Sequence, residues 1–205
     1  MKFETDSEEY HILQNAVRNI KNVPGAIVEI GTRKGGSAQL IIDTLVENDD
    51  TNRAMFCIDP YGDILFPLAD QKLYFNYTND MRNEVVPNLY KYAYDRGLNF
   101  QFFLMEDTEF FKRFADGVPF YDNKQKMIVD KYAMVFLDGP HDNVSVLDEV
   151  YFFMKRSYQG SVIVIDDAYA CSIDGMFNPL METMGYVVAE RGGSKVVYQK
   201  VFDKI

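Results

Sequence analysis

The stretch Ala26-Ile27-Val28-Glu29-Ile30-Gly31-Thr32-Arg33-Lys34-Gly35-Gly36-Ser37 limits what this chain can fold into more than any other. The run Ala26 to Ile30 reads as a buried strand. A Gly-rich turn follows, and then Ala38, Leu40, Ile41, Ile42 and Leu45 recur at helical spacing. Strand, Gly-rich turn and helix together are the sequence form of a nucleotide-binding corner. Glycines let the backbone approach a ligand, and the helix N-terminus offers unpaired N–H groups. Three residues separate Gly31 from Gly35, so the pattern is not the G-x-G-x-x-G of a dinucleotide site. With Glu29 two residues before Gly31, it reads acidic-x-G-x-x-x-G. That arrangement suits a nucleoside carrying an amino-acid tail better than a pyrophosphate. The same glycines would also serve a plain strand-to-helix turn.

The rest of the chain extends this unit. Residues 7–22 read as a helix capped by Ser7, with Glu9 in its first turn and Pro24-Gly25 as its stop. Further buried strands are expected at 54–58, 99–105, 132–137 and 161–165, with helices at 36–48, 108–116 and 143–158 between them. Asp107 is the expected N-cap of the helix at 108, and Gly160 the stop of the helix from 143. Residues 61–67 read as a loop and 71–96 as a helical, Tyr-rich stretch, and 61–96 as a whole is a candidate lid or oligomer face. Residues 117–131 read as a polar loop. Two β-prone runs, 186–190 and 195–199, flank Gly192-Gly193 and form a hairpin signal. Alternating β and α implies an α/β, doubly wound, mostly parallel sheet closed by a terminal antiparallel hairpin. A chain of 205 residues fits one such domain, 1–205, with residues 1–24 as an N-terminal helical extension.

Ligands of open α/β sheets sit beyond the carboxyl ends of the strands. Asp59, Asp107, Asp138 and Asp166 end, or nearly end, four of the five parallel strands, and Glu29 lies just inside the end of the first. At the end of the second strand, Asp59 stands where an acid can accept hydrogen bonds from both ribose hydroxyls; a turn or capping role is the alternative. Asp138 and the pair Asp166-Asp167 end neighbouring strands, about 4.8 Å apart. Two carboxylates at about 4 Å repel by about 4 kcal/mol at an effective dielectric near 20. A shared proton, a basic side chain or a divalent cation must offset that. An all-oxygen set suits Mg²⁺, Mn²⁺ or Ca²⁺, with Mg²⁺ the first choice, and no Cys/His cluster invites zinc. His141, three residues past Asp138, can act as a general base near neutral pH, as a further metal ligand, or as a helix-start residue.

A net charge of −10 argues against nucleic-acid backbones and anionic membrane surfaces as partners, and favours a small polar or neutral substrate. The two cysteines, Cys57 and Cys171, form no C-x-x-C, the N-terminus shows no signal pattern, and no apolar run approaches the length of a membrane span. A reducing cytoplasm is the expected setting.

Val28-Glu29-Ile30-Gly31-Thr32-Arg33-Lys34-Gly35 resembles motif I of class I S-adenosylmethionine-dependent methyltransferases, and Cys57-Ile58-Asp59-Pro60 resembles the ribose-binding end of their second strand. Phe136-Leu137-Asp138-Gly139 with Val164-Ile165-Asp166-Asp167 resembles the metal-dependent O-methyltransferases of the macrocin and catechol kinds. The resemblance spans about 7–202 and implies the Rossmann-like, seven-stranded methyltransferase fold. It implies that Glu29, Gly31 and Gly35 hold the methionine end of S-adenosylmethionine, with Ser37 on its carboxylate. Asp59 would bind the ribose, and Asp107 and Thr108 would sit beside the adenine. Asp138, Asp166 and Asp167 would hold the divalent cation. His141 would stand where the catechol type has its lysine base, which argues against a catechol substrate. The implied reaction is metal-assisted O-methylation of a small hydroxyl compound such as a sugar or natural product, in a chain that can form a homo-oligomer. The alternatives are metal-independent transfer to another acceptor, or a non-catalytic nucleoside-binding protein on the same fold.

Overall fold

The computed structural model describes residues 3–5, 7–68, 71–121 and 125–202, and only the backbone at 64–68 and 71–76. Its centre is a seven-stranded sheet. Strands β1 (Ala26–Ile30), β2 (Ala54–Ile58), β5 (Asn99–Phe103), β8 (Tyr132–Leu137) and β9 (Ser157–Ile165) are mutually parallel. The terminal hairpin of β10 (Tyr186–Arg191) and β11 (Val196–Lys200) adds to β9 in antiparallel sense. The order β10-β11-β9-β8-β1-β2-β5 puts β1 and β8 side by side at the point where the winding reverses. That point is where α/β sheets open a ligand crevice.

Strand alternation builds two cores. Ile27, Met55, Cys57, Met134, Phe136 and Val164 face α1 (Tyr10–Asn19), α2 (Gly36–Glu47) and α3 (Asn79–Tyr94). Val28, Ile30, Phe56, Val135, Leu137 and Ile165 face the other way, toward α4 (Asp107–Arg113), α5 (Asn143–Met154) and α6 (Asn178–Thr183). Every residue of β1, β2 and β8 is buried, as strands covered on both faces require.

Several local expectations need correction. Helix α1 starts at Tyr10, because Glu9 adopts a left-handed φ of 51° and the side chains of Ser7 and Glu9 are engaged elsewhere. The stretch after β2 is not loop then helix. It forms the hairpin β3 (Ile64–Leu68) and β4 (Gln71–Tyr77), and α3 begins only where Thr78 caps the Met81 N–H at 3.0 Å and runs on through Pro87. Residues 118–129 form another hairpin, β6 (Val118–Tyr121) with β7 (Lys126–Val129). Asp107 is the first residue of α4 rather than its cap, which is Glu106. Gly160 does not stop α5. That helix ends at Met154, and Gly160 lies inside β9 with φ +90°.

Two backbone bonds fix the crevice: Gly31 N–H to the Ile58 carbonyl at 3.0 Å, and Asp138 N–H to the Ile30 carbonyl at 2.9 Å. Gly31 has φ +84°, and a Cβ there would fall 2.0 Å from the Asp138 carbonyl oxygen. Gly31→Ala is therefore expected to cost at least about 2 kcal/mol, from the left-handed φ and the clash together. In a domain of this size that lowers Tm by about 4–8 °C in a circular-dichroism melt; an unchanged Tm would contradict the close approach.

Candidate active site

Side by side at the sheet centre, β1 and β8 release their following loops into one pocket of about 260 Å³. Gly31, Thr32 and Arg33 come from the loop after β1, and Asp138 and His141 from the loop after β8. Asp166, Asp167 and Tyr169 follow β9, and Ser7 and Tyr77 complete the wall.

The glycine loop is held from below by Asp59. Its Oδ2 accepts the N–H groups of Thr32 and Arg33 at 3.0 and 2.9 Å, and its Oδ1 accepts that of Tyr61 at 3.0 Å. Tyr61 is buried and donates its hydroxyl to the Arg33 carbonyl. Asp59 is 1% exposed, and burial pushes its carboxyl upward against those three bonds. The acid expected to grip a ribose thus anchors the loop in this conformation. A carboxylate offers about four acceptor directions and three are taken, so accepting from both ribose hydroxyls requires an exchange of partners.

Glu29 lies under the same loop, fully buried. Its Oε2 accepts from Thr32 Oγ1 at 3.1 Å and from Cys57 Sγ at 3.2 Å, while Oε1 has no partner among the described residues. Burial pushes its pKa up to about 7, opposed by the hydroxyl of Ser37, the Cys57 thiol and Thr32. Ser37 thus faces Glu29. Gly35, with φ +79°, turns its Cα toward Phe3, Val85 and Leu89, and Gly36 turns its own toward the Glu4 carbonyl. The N-terminal segment therefore covers the second half of the loop, and its first half lines the pocket. Asp107 is half-buried at the start of α4, with fully buried Glu149 of α5 beside it. Burial raises both carboxyls, and the Asp107 charge raises Glu149 further. Thr108 is exposed, and neither Asp107 nor Thr108 lines the pocket.

The three acids expected to hold a metal, Asp138, Asp166 and Asp167, all line the pocket, but Asp166 is engaged by a cation of the chain itself. Lys195 is fully buried, and its ammonium lies 2.8 Å from Asp166 Oδ1. Asp166 Oδ1 also accepts the Asp167 N–H at 2.8 Å, and its Oδ2 accepts from Ser7 Oγ at 2.5 Å. A dication bound to Asp166 would sit about 4 Å from that ammonium, a repulsion of about 8 kcal/mol at an effective dielectric near 20. Among the described residues, no group of three or more His, Cys, Asp or Glu is arranged to hold a metal ion. Of the three ways to offset the acids, a basic side chain serves Asp166.

Asp167 is engaged differently. Its Oδ2 lies 3.1 Å from His141 Nδ1, and its Oδ1 accepts from the Tyr169 hydroxyl at 2.8 Å. At that separation the carboxylate can orient the imidazole and stabilise it once protonated. Both side chains are about one-third exposed, at 29% and 32%, so a substrate can reach them. Asp138, His141, Asp166 and Asp167, expected from the sequence to share one edge of the sheet, all line this pocket. Two residues escaped the sequence patterns: Lys195, which reads as an ordinary strand residue, and Ser7, which reads as a helix cap. Register held the missing signal: Val196 pairs with Ile165, so one step further sets Lys195 opposite Asp166.

A methyltransferase-domain family model matches residues 28–168, which contain the glycine loop and all the pocket acids. The chain belongs to the methyltransferase-domain family. It is a class I S-adenosylmethionine-dependent methyltransferase by family and by fold. The solved O-methyltransferase NovP superposes on this methyltransferase with a TM-score of 0.61 at 19% identity, over 94% of this chain and 79% of that one. CalS11, a TDP-rhamnose 3'-O-methyltransferase of calicheamicin biosynthesis, gives 0.58 at 12%, over 93% and 77%. An O-methyltransferase from Bacillus cereus in complex with SAH gives 0.59 at 13%, over 98% and 84%. No curated protein matches the chain. Among the described residues no helix is long and apolar enough to cross a membrane.

Glu29 gives the methyltransferase a distinctive pH response. Unfolded, it ionises near its ordinary 4.5; folded, near 7. Between those values the folded state holds the extra proton, so this contribution is full below pH 4.5 and is lost as pH rises through 7. The whole step is about 3 kcal/mol. Wild-type Tm should therefore fall relative to that of Glu29→Gln as pH rises from 4.5 to 7.5, and parallel melting profiles would contradict this.

Proposed function

We propose that this methyltransferase moves the methyl group of S-adenosylmethionine to a hydroxyl oxygen of a small polar molecule, with His141 as general base and without a metal. The observation that carries the reading is the 3.1 Å contact between His141 Nδ1 and Asp167 Oδ2 at the pocket wall. It leaves Nε2 to take the acceptor's proton.

The chain's residues fit the cofactor. The loop Gly31–Arg33 borders the pocket, and Glu29 Oε1, buried beneath it, lacks a partner among the described residues. Gly31 and Glu29 would hold the methionine end. Asp59 would meet the ribose after partner exchange, and Asp107 would stand on the adenine side. When bound, the cofactor supplies an electrophilic sulfonium methyl. His141 accepts the hydroxyl proton as the oxygen–methyl bond forms and the sulfur–methyl bond breaks. Asp167 orients the imidazole, and Tyr169 and the start of β9's following loop hold Asp167. Alignment of the two reactants by the pocket can supply about 7–11 kcal/mol of the barrier reduction.

The acceptor class follows from the lining. Ser7, Thr32, Arg33, two tyrosines and the acids make a polar wall, which suits a polyhydroxyl compound such as a sugar more than an apolar ring. The likeness to CalS11, an enzyme of TDP-rhamnose, supports the same choice. The chain's strong negative charge disfavours a nucleic-acid acceptor.

His141→Ala is expected to lower kcat by about 10²–10⁴ while leaving S-adenosylmethionine affinity unchanged. Asp167→Asn should lower kcat in the same direction. Methyl transfer to a panel of sugars and phenols, with calorimetry for the cofactor, checks both. An unchanged kcat in His141→Ala would reject the base.

A further inference from the structure

Lys195 is the residue of this site that no motif in the sequence marks. Its side chain is wholly buried, with the rings of Tyr10 and Phe136 each 5.6 Å from the ammonium. Nζ donates to Asp166 Oδ1 and to Ser7 Oγ, and Ser7 Oγ in turn donates to Asp166 Oδ2. Three groups close a small ring, and two of them, Ser7 and Asp166, face the pocket.

Independent elements hold this ring in place. Antiparallel pairing of β11 with β9 sets Lys195 across from Asp166. Glu9 accepts the backbone N–H groups of Gly193, Ser194 and Lys195 at 2.9, 2.8 and 3.2 Å, and the Ser194 hydroxyl at 3.0 Å. Those bonds, led by Gly193 and Ser194, pull the Glu9 carboxyl down to about 2. Glu9 thereby locks the hairpin loop to the segment that carries Ser7.

We propose that Lys195 replaces a divalent cation at this site: its ammonium supplies the fixed positive charge that neutralises Asp166 and, through Ser7, fastens the pocket wall. Lys195 is a positioning residue, since it does not reach the pocket itself. Without a neutralising charge, three carboxylates would oppose the negative charge that develops on the acceptor oxygen as its proton leaves. The ammonium removes one of them and closes that carboxylate to metal ligation. The catalytic part of this proposal rests on the methyl-transfer reading; its claim about metal does not.

Mn²⁺ titration of the chelator-stripped protein, followed by electron paramagnetic resonance of the free ion, tests it. Wild type is expected to leave the added Mn²⁺ free, and Lys195→Met, which keeps the stem and removes the charge, to bind Mn²⁺ at least about a hundredfold tighter. Stoichiometric Mn²⁺ binding by wild type would overturn the proposal, and this arm needs no variant to fold. A folded Lys195→Met that binds no Mn²⁺ would overturn it as well. The double variant Lys195→Met/Asp166→Asn restores a neutral pair of similar size; it should fold and bind no Mn²⁺, and tight binding there would move the metal off Asp166 and reject the assignment. Methyl transfer by wild type should be the same in excess chelator. Absence of methyl transfer with and without metal would count against the methyl-transfer reading alone and leave the Mn²⁺ result to decide the role of Lys195.

Discussion

Asp166 and Lys195 meet because the last hairpin joins the sheet in the opposite sense to its neighbour β9. A buried ion pair of this kind is costly to form and more costly to break, since losing one partner strands a charge in the interior at about 3–5 kcal/mol. The surroundings reduce that cost. Ser7 serves both partners, the Asp167 N–H serves Asp166, and two aromatic faces flank the ammonium. The pair thereby ties together three parts that are distant in sequence: the segment before α1, the end of β9 and the head of β11. The pocket wall has its shape because those three are tied.

A second knot lies under the glycine loop. Asp59 gathers the N–H groups of Thr32, Arg33 and Tyr61, and Glu29 gathers Thr32 and Cys57. Both acids are buried, and burial raises both. They play opposite parts. Asp59 uses its acceptors on the backbone and makes the loop rigid. Glu29 keeps one oxygen without a partner among the described residues. A loop fixed in advance loses less conformational freedom when it closes on a ligand.

The sheet was legible because its central strands are buried on both faces and read as continuous apolar runs. The runs at 26–30, 54–58 and 132–137 return as β1, β2 and β8 with the same bounds. The acids that follow strands were legible for the same reason, since a parallel sheet sends every strand end to one edge. Short two-stranded pieces were less so. Strands β3 and β4, residues 64–68 and 71–77, pair with each other in one hairpin, and their Tyr and Phe fit helical and extended patterns alike. Residues 118–129 alternate in burial over only four residues a strand, too few to fix a period. Lys195 escaped because its meaning comes from cross-strand register and not from its neighbours in sequence. Ser7 and Glu9 looked like helix-start residues; tertiary partners at Asp166 and at the hairpin loop claimed them instead.

On the proposed reading, the methyltransferase carries its own cation, Lys195, beside the pocket. The most direct measurement is a crystal structure with S-adenosylhomocysteine grown in the presence of Mn²⁺ and read for manganese anomalous scattering. The expected result is the ligand in the corner bordered by Gly31, Lys195 Nζ still within about 3 Å of Asp166, and no anomalous peak among Asp138, Asp166 and Asp167. A manganese peak there, with Lys195 displaced from Asp166, would contradict it.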